Sequence, residues 1–196
     1  MLKSLPLLIV LVLTACASAP PKFYLLEAPS ALSESQAPSG VYETIGIGRV
    51  SLPAYASSEK IARVDEGRRL YKDDDHRWAE PPADGLTRVL AAALSSRTGA
   101  TVITEPFPRG LDPDLRVSVQ FDRFLRSPSG AAMIAGQYTI EDSRGRRVLA
   151  IEPFSFEVAS ASAGYSAYAD AVARAVGRLG AEISQRATAL KPETGA

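Results

Sequence analysis

Leu115-Arg116-Val117-Ser118-Val119-Gln120-Phe121 alternates apolar and polar residues without a break. That period of two predicts a strand with one face in a core and one toward water. Two further segments continue the pattern. Ala131 to Asp142 carries Ile134, Tyr138 and Ile140, and the run from Arg147 carries Phe154, Phe156 and Val158. Asp142-Ser143-Arg144-Gly145 between them predicts a hairpin turn. Pro153 has no amide hydrogen to give a ladder, so it belongs at a sheet edge or a bulge.

Helical periods flank these strands. Leu86, Val89, Leu90, Ala93 and Leu94 share one face of a segment from Pro82 to Gly99, with prolines at its start and glycine at its end. Tyr168, Val172, Val176, Leu179 and Ile183 line a second, longer helix over Tyr165 to Leu190, where Ala169, Ala173 and Gly180 allow close approach. Earlier in the chain, Phe23-Tyr24-Leu25-Leu26 and Tyr42 to Leu52 predict strands. Ile61 to Val64 and Arg69 to Tyr71 flank Asp65-Glu66-Gly67, predicting a hairpin with positive φ at the glycine. Lys72 to Asp75 reads as exposed polar chain, Ala100 to Thr104 as a strand, and Ala28 to Gly40 and Pro106 to Pro113 as loops. The expected fold is α+β: a single domain with a largely antiparallel sheet and two main helices packed on one face.

The N-terminus reads differently. Lys3 precedes an apolar run from Leu5 to Leu13, too short for the roughly 20 residues that span a bilayer and suited to a secretory signal. Leu13-Thr14-Ala15-Cys16 contains the one cysteine of the 196 residues and resembles the lipobox of bacterial lipoproteins. In such proteins the chain is cut before the cysteine, which then carries lipid; the competing reading is an ordinary signal with a chance cysteine. The expected organisation is a signal peptide at 1–15, a lipidated tether at 16–22, a domain at 23–190 and a disordered tail at 191–196. A six-residue tether reaches only about 20 Å, so the body should sit close to its membrane. Ala17 lacks the acidic character that retains such lipoproteins at the inner membrane, and so favours the outer one.

Composition narrows the function classes. Net charge is zero and 46% of residues are hydrophobic, ordinary for a globular domain and without the basic excess of a nucleic-acid binder. The mature chain has no second cysteine for a disulfide, and no later apolar run is long enough to span a bilayer. His76 is the only histidine. Asp73, Asp74 and Asp75 precede it, but neighbouring carboxylates diverge, which predicts a solvated turn and no metal site. No G-x-S-x-G elbow occurs, and Gly46-x-Gly48 lacks the third glycine of a dinucleotide fingerprint. No carboxylate pair is singled out for glycoside chemistry. No cofactor is expected.

His76-Arg77-Trp78-Ala79-Glu80-Pro81 unites the single histidine and the single tryptophan just before a helix. Either Trp78 is a core anchor beneath that helix, or the run is an interface, where Trp and Arg often dominate binding.

Ile47-Gly48-Arg49-Val50-Ser51-Leu52-Pro53-Ala54-Tyr55, then His76 to Pro81, then Pro108-Arg109-Gly110-Leu111-Asp112-Pro113 resemble, in order, the PqiC family of ABC-type transport auxiliary lipoproteins. Phe23 to Leu26 after the lipobox and Gly164-Tyr165 at the last helix fit the same family. The resemblance implies a protein that is not an enzyme: an outer-membrane lipoprotein facing the periplasm, docking a lipid-transport conduit built from an MCE-domain protein. Ring-like self-association is compatible with it. The residues it suggests for a partner interface are His76, Arg77, Trp78, Glu80, Arg109 and Leu111, with Cys16 as the lipidation site. The rivals are an adaptor of lipopolysaccharide or outer-membrane protein assembly, and an enzyme acting on cell wall or lipid.

Overall fold

A computed structural model describes residues 20–29, 41–142 and 147–190. The signal, Cys16, most of the Ala28–Gly40 loop, the turn after Asp142 and the tail at 191–196 lie outside the described residues.

The alternating stretches form an antiparallel meander: β6 (Leu115–Arg126), β7 (Ala132–Asp142) and β8 (Val148–Val158). Leu115, Val117, Val119 and Phe121 are buried, as the period requires. The strand then runs five residues further than its alternation predicts, because the register with β7 shifts between Phe121 and Arg123. The bulge reverses the phase and returns Phe124 to the core. Pro153 lies on β8, which among the described residues pairs only with β7, so it occupies an edge.

The opposite side of β6 divides between two sets of strands. Its N-terminal part pairs in parallel with β2 (Thr44–Ile47), which pairs in parallel with β5 (Thr101–Thr104). Its end meets β3 (Lys60–Val64) at Arg63↔Arg126; β3 pairs antiparallel with β4 (Leu70–Trp78), and β4 pairs in parallel with β1 (Lys22–Tyr24). The sheet is therefore mixed. Its long ladders are antiparallel, as expected, while the short outer pairings are parallel. Parallel neighbours need a crossover, and the first helix provides one on the way to β5. The segment Gly48 to Glu59, with a 3-10 turn at Ala54–Ala56, fills the fork. It is tied to β6 through Gly48, Ser51 and the Tyr55 hydroxyl, which accepts the Phe124 amide at 3.2 Å.

Two local expectations are corrected. In the β3–β4 turn the positive φ belongs to Arg68 (63°), not Gly67. Asp65 satisfies the turn by accepting the Arg69 amide at 2.9 Å. The solvated turn expected at Asp73–Asp75 is strand: Lys72 to Asp75, largely exposed as expected, belongs to β4, which bulges opposite Lys60–Ala62. Charged residues are poor strand formers, and this strand is held by side-chain partners described below.

α1 (Pro82–Thr98) and α2 (Tyr165–Ala189) lie on one face of the sheet with the predicted apolar faces inward. Gly99 at φ 69° ends α1, donating its amide to the Ser95 carbonyl at 2.9 Å. The helices meet at Gly180, where an added Cβ would stand 2.7 Å from the Ala93 Cβ. Three residues earlier, a Cβ at Gly177 would have nothing within 4 Å. These two glycines predict opposite effects in urea unfolding. Gly177→Ala should stabilise by about 0.7 kcal/mol through helix propensity, whereas Gly180→Ala should destabilise by about 1.5 kcal/mol by forcing the helices apart.

Candidate functional site

Alternation along the end of β4 sends Trp78 inward. Its side chain is only 2% exposed, with the Phe124 ring 6.0 Å and the Tyr168 ring 5.8 Å away between centroids. Trp78 is thus an anchor beneath the helices. Its burial withdraws it from any surface that a partner could touch and corrects its place among the interface residues.

His76 is also engaged internally. Its ring stacks on Tyr165 at 3.8 Å and 6°, and its Nδ1 is 2.7 Å from the Tyr24 hydroxyl. The Tyr165 hydroxyl donates to the Asp73 carboxylate. That carboxylate also accepts the amides of Asp75 at 3.0 Å and His76 at 3.1 Å, with the Arg63 guanidinium 3.7 Å away. The Arg126 guanidinium covers the Tyr165 ring at 4.8 Å and donates to the Ala163 carbonyl at 2.7 Å. One cluster therefore joins β1, β3, β4, the end of β6 and the first turn of α2. Burial, then the neighbouring Asp73 carboxylate, pushes the Tyr165 phenol up to about 12. Burial works against the Asp73 charge, yet the Tyr165 hydroxyl and the two amides hold its carboxyl below the ordinary range. A phenol that retains its proton so firmly is suited to holding parts together, not to proton transfer at neutral pH. The stretch Asp73–Asp75 is thus strand with its side chains engaged, Asp73 by Tyr165 and two amides and Asp74 by Lys60.

The remaining predicted residues fall elsewhere. Arg77 is on the outer side of β4, its Nε donating to the Asp74 carbonyl at 3.2 Å. Glu80 pairs with Arg88 of α1, which also donates to the Leu26 carbonyl at 2.9 Å. Arg88 in turn lines an open groove of about 1040 Å³ with Gly48, Arg49, Asp84, Glu105 and Phe107. Across it, Arg49 stands 4.0 Å from Asp84, and its amide donates to the Glu105 carboxylate at 3.4 Å. Arg109 and Leu111 are exposed on the loop that follows Phe107. That loop is seated on β2: a Cβ at Gly46 would meet Pro113 at 2.7 Å and the Phe107 ring at 2.8 Å. The Arg116 guanidinium lies 5.2 Å from the Phe107 ring centre and 3.3 Å from Asp112.

The six predicted residues thus lie in the core, in the aromatic cluster, on the outer sheet face, and in or beside the groove. Sequence reasoning missed Tyr24, Asp73, Arg88 and Phe107 as partners, since nothing in one sequence pairs residues from different strands. Among the described residues, no group of three His, Cys, Asp or Glu side chains could hold a metal ion.

The family model of the ABC-type transport auxiliary lipoprotein component matches residues 24–184. The chain belongs to this family. The match takes in both the cluster and the groove, and agrees with the PqiC resemblance. An uncharacterised protein of known crystal structure shares the fold with a TM-score of 0.70 at 19% identity, over 86% of this chain and 99% of its own. Protein XCC0632 from Xanthomonas campestris does so with 0.66 at 18%, over 83% and 92%. No curated protein matches. The auxiliary lipoprotein is thus a transport component of a membrane-associated lipoprotein family. No described helix is long and apolar enough to cross a membrane.

The cluster makes a testable demand on this auxiliary lipoprotein. Because folding raises the Tyr165 value above the ordinary tyrosine value of about 10, its contribution to stability is complete below that pH. It is lost as pH climbs through about 12. Tyr165→Phe should reduce the alkaline fall in unfolding free energy, leaving the part due to the other raised tyrosines, fully buried Tyr168 among them. At neutral pH the same substitution should cost about 1 kcal/mol. Urea titrations across the pH range measure both.

Proposed function

We propose that this auxiliary lipoprotein is a non-enzymatic adaptor held by lipid on Cys16 at the periplasmic face of the outer membrane. It docks the far end of an MCE-domain conduit linked to an ABC transporter and supports lipid traffic across the envelope. The observation that carries this reading is the convergence of three separate stretches on one groove. Arg49 comes from the Ile47–Tyr55 run, Asp84 and Arg88 from the helix after His76–Pro81, and Glu105 and Phe107 from the loop that carries Arg109 and Leu111. An open groove with an aromatic wall and exposed ion pairs has the mixed character of a protein interface. Arg109 and Leu111, exposed beside it, are the contact residues of this reading; Glu80 supports it by holding Arg88. Self-association into a ring belongs to the same reading, and the open edges at β5 and β8 are available for it.

The test is photo-cross-linking in intact cells from an unnatural residue at Leu111, followed by purification through a C-terminal tag. The expected result is an MCE-domain protein, lost with Cys16→Ser. It should fall about tenfold with the double substitution Arg109→Glu and Leu111→Asp at unchanged thermal stability, the size of loss typical of an interface anchor. Recovery of lipopolysaccharide- or outer-membrane protein-assembly components instead would replace the conduit reading by the other adaptor role.

A further inference from the structure

The strand nearest the anchor and the residue that follows it carry greasy side chains outward. Phe23 is 58% exposed and Leu25 is 49% exposed. Tyr24 points the other way, toward Tyr165 of α2, so the Phe23 side of β1 faces away from both helices. Isolated apolar residues on a surface need no explanation. These two differ in position and in neighbours.

Position comes first. If Cys16 carries lipid, as the proposed function requires, only seven residue steps separate the membrane attachment from Phe23. Such a chain spans at most about 25 Å. β1 is then the first folded element above the bilayer, and its outer face is the one that the tether can lay against it.

The neighbours supply charge. Phe23 is in register with Arg77, and Arg77 with Lys60 of β3. Paired residues share a face of the sheet, so the cations and Phe23 look the same way. Lys60, Lys72 and Arg77 line a depression of about 580 Å³ with Ser58 and a single carboxylate, Glu59. Lys60 is partly neutralised by Asp74. The lysine and arginine donors of this depression suit the oxygens of a phosphate. Apolar side chains beside a basic depression match the two layers of an anionic membrane surface, acyl chains below and phosphates above.

We propose that the outer face of β1 is a lipid-contact surface. Phe23 and Leu25 enter the bilayer interface, and the Lys60–Lys72–Arg77 depression takes an anionic phospholipid headgroup. The lipid anchor and this face together would fix the orientation of the body on its membrane, which the anchor alone would leave free to tumble.

The acylated full-length protein can be tested directly, since lipidation consumes Cys16 and leaves no other thiol. Spin labels are placed through Phe23→Cys, Leu25→Cys and, as a control on the exposed side of α2, Asp170→Cys. The protein is reconstituted in vesicles of phosphatidylethanolamine and phosphatidylglycerol. The ratio of collision with oxygen to collision with a water-soluble nickel chelate should be about threefold higher at positions 23 and 25 than at 170, as for side chains in the headgroup and acyl boundary. Combining Lys60→Gln, Lys72→Gln and Arg77→Gln should lower it toward the control. Water-like ratios at 23 and 25 in protein that still floats with the vesicles overturn the surface while leaving the anchor intact. Protein that fails to float overturns the anchor and the surface with it. Dipolar broadening between labels at position 23 would place a second copy of the chain on this face and refute the lipid assignment. An unchanged ratio in the triple variant refutes the headgroup site.

Discussion

At Asp122 strand β6 gains one residue over β7, and Gly136 is what lets the two backbones come so close there. A Cβ on that glycine would stand 2.0 Å from the Gln120 carbonyl oxygen. The rest of the architecture follows from this crossing. The extra residue turns Phe124 inward, where it meets Trp78 and, edge-on, Phe121. It also carries Arg126 to the place where β3 can join and where its guanidinium can cover Tyr165. A straight β6 would offer one side to one neighbour. A bent one serves two sets of strands, and the segment from Gly48 to Glu59 fills the gap between them.

Two kinds of attachment then hold the fork in shape. On the β4 side, a half-buried aromatic and ionic cluster ties four strands to the start of α2. Its members are worth more together than singly, because each satisfies a polar group that burial would otherwise penalise. On the β5 side the attachment is mainly steric: Phe107 and Pro113 occupy the space that a side chain at position 46 would need. The groove opens where the ends of β2 and β5 meet α1, lined by Gly48, Arg49, Asp84, Arg88, Glu105 and Phe107. Arg49, 76% exposed at its side chain, is left on the surface.

Regular periodicity was legible wherever burial imposed it. The α1 and α2 faces, the β6–β8 meander and the edge position of Pro153 all express a period or a missing donor. The end of β6 was not legible, because a bulge breaks the alternation that announces a strand. Nor was the strand character of Lys72 to Asp75, whose conformation rests on Asp73 bonding nearby amides and a distant tyrosine. The run His76 to Pro81 stood out by composition, but composition did not tell the inward Trp78 from the outward Arg77. Only its pairing with β1 and β3 separates them. The Arg68 turn shows the same limit on a small scale: glycine is the residue best suited to positive φ, yet here arginine occupies it beside a glycine that does not.

The parallel pairing of β1 with β4 has a mechanical consequence. A lipid anchor on Cys16 would transmit any pull on the body through Pro20 and Pro21 into β1. Because the ladder from Lys22 to Tyr24 runs alongside His76 to Trp78, tension along the strand loads its hydrogen bonds together in shear instead of peeling them one at a time. Beyond the ladder, the grip of Arg88 on the Leu26 carbonyl and the burial of Leu26 act as a second stop. A body anchored in this way would let go of β1 as a unit and not residue by residue. A chain moored to one membrane while it grips a structure rooted in another would carry its load there.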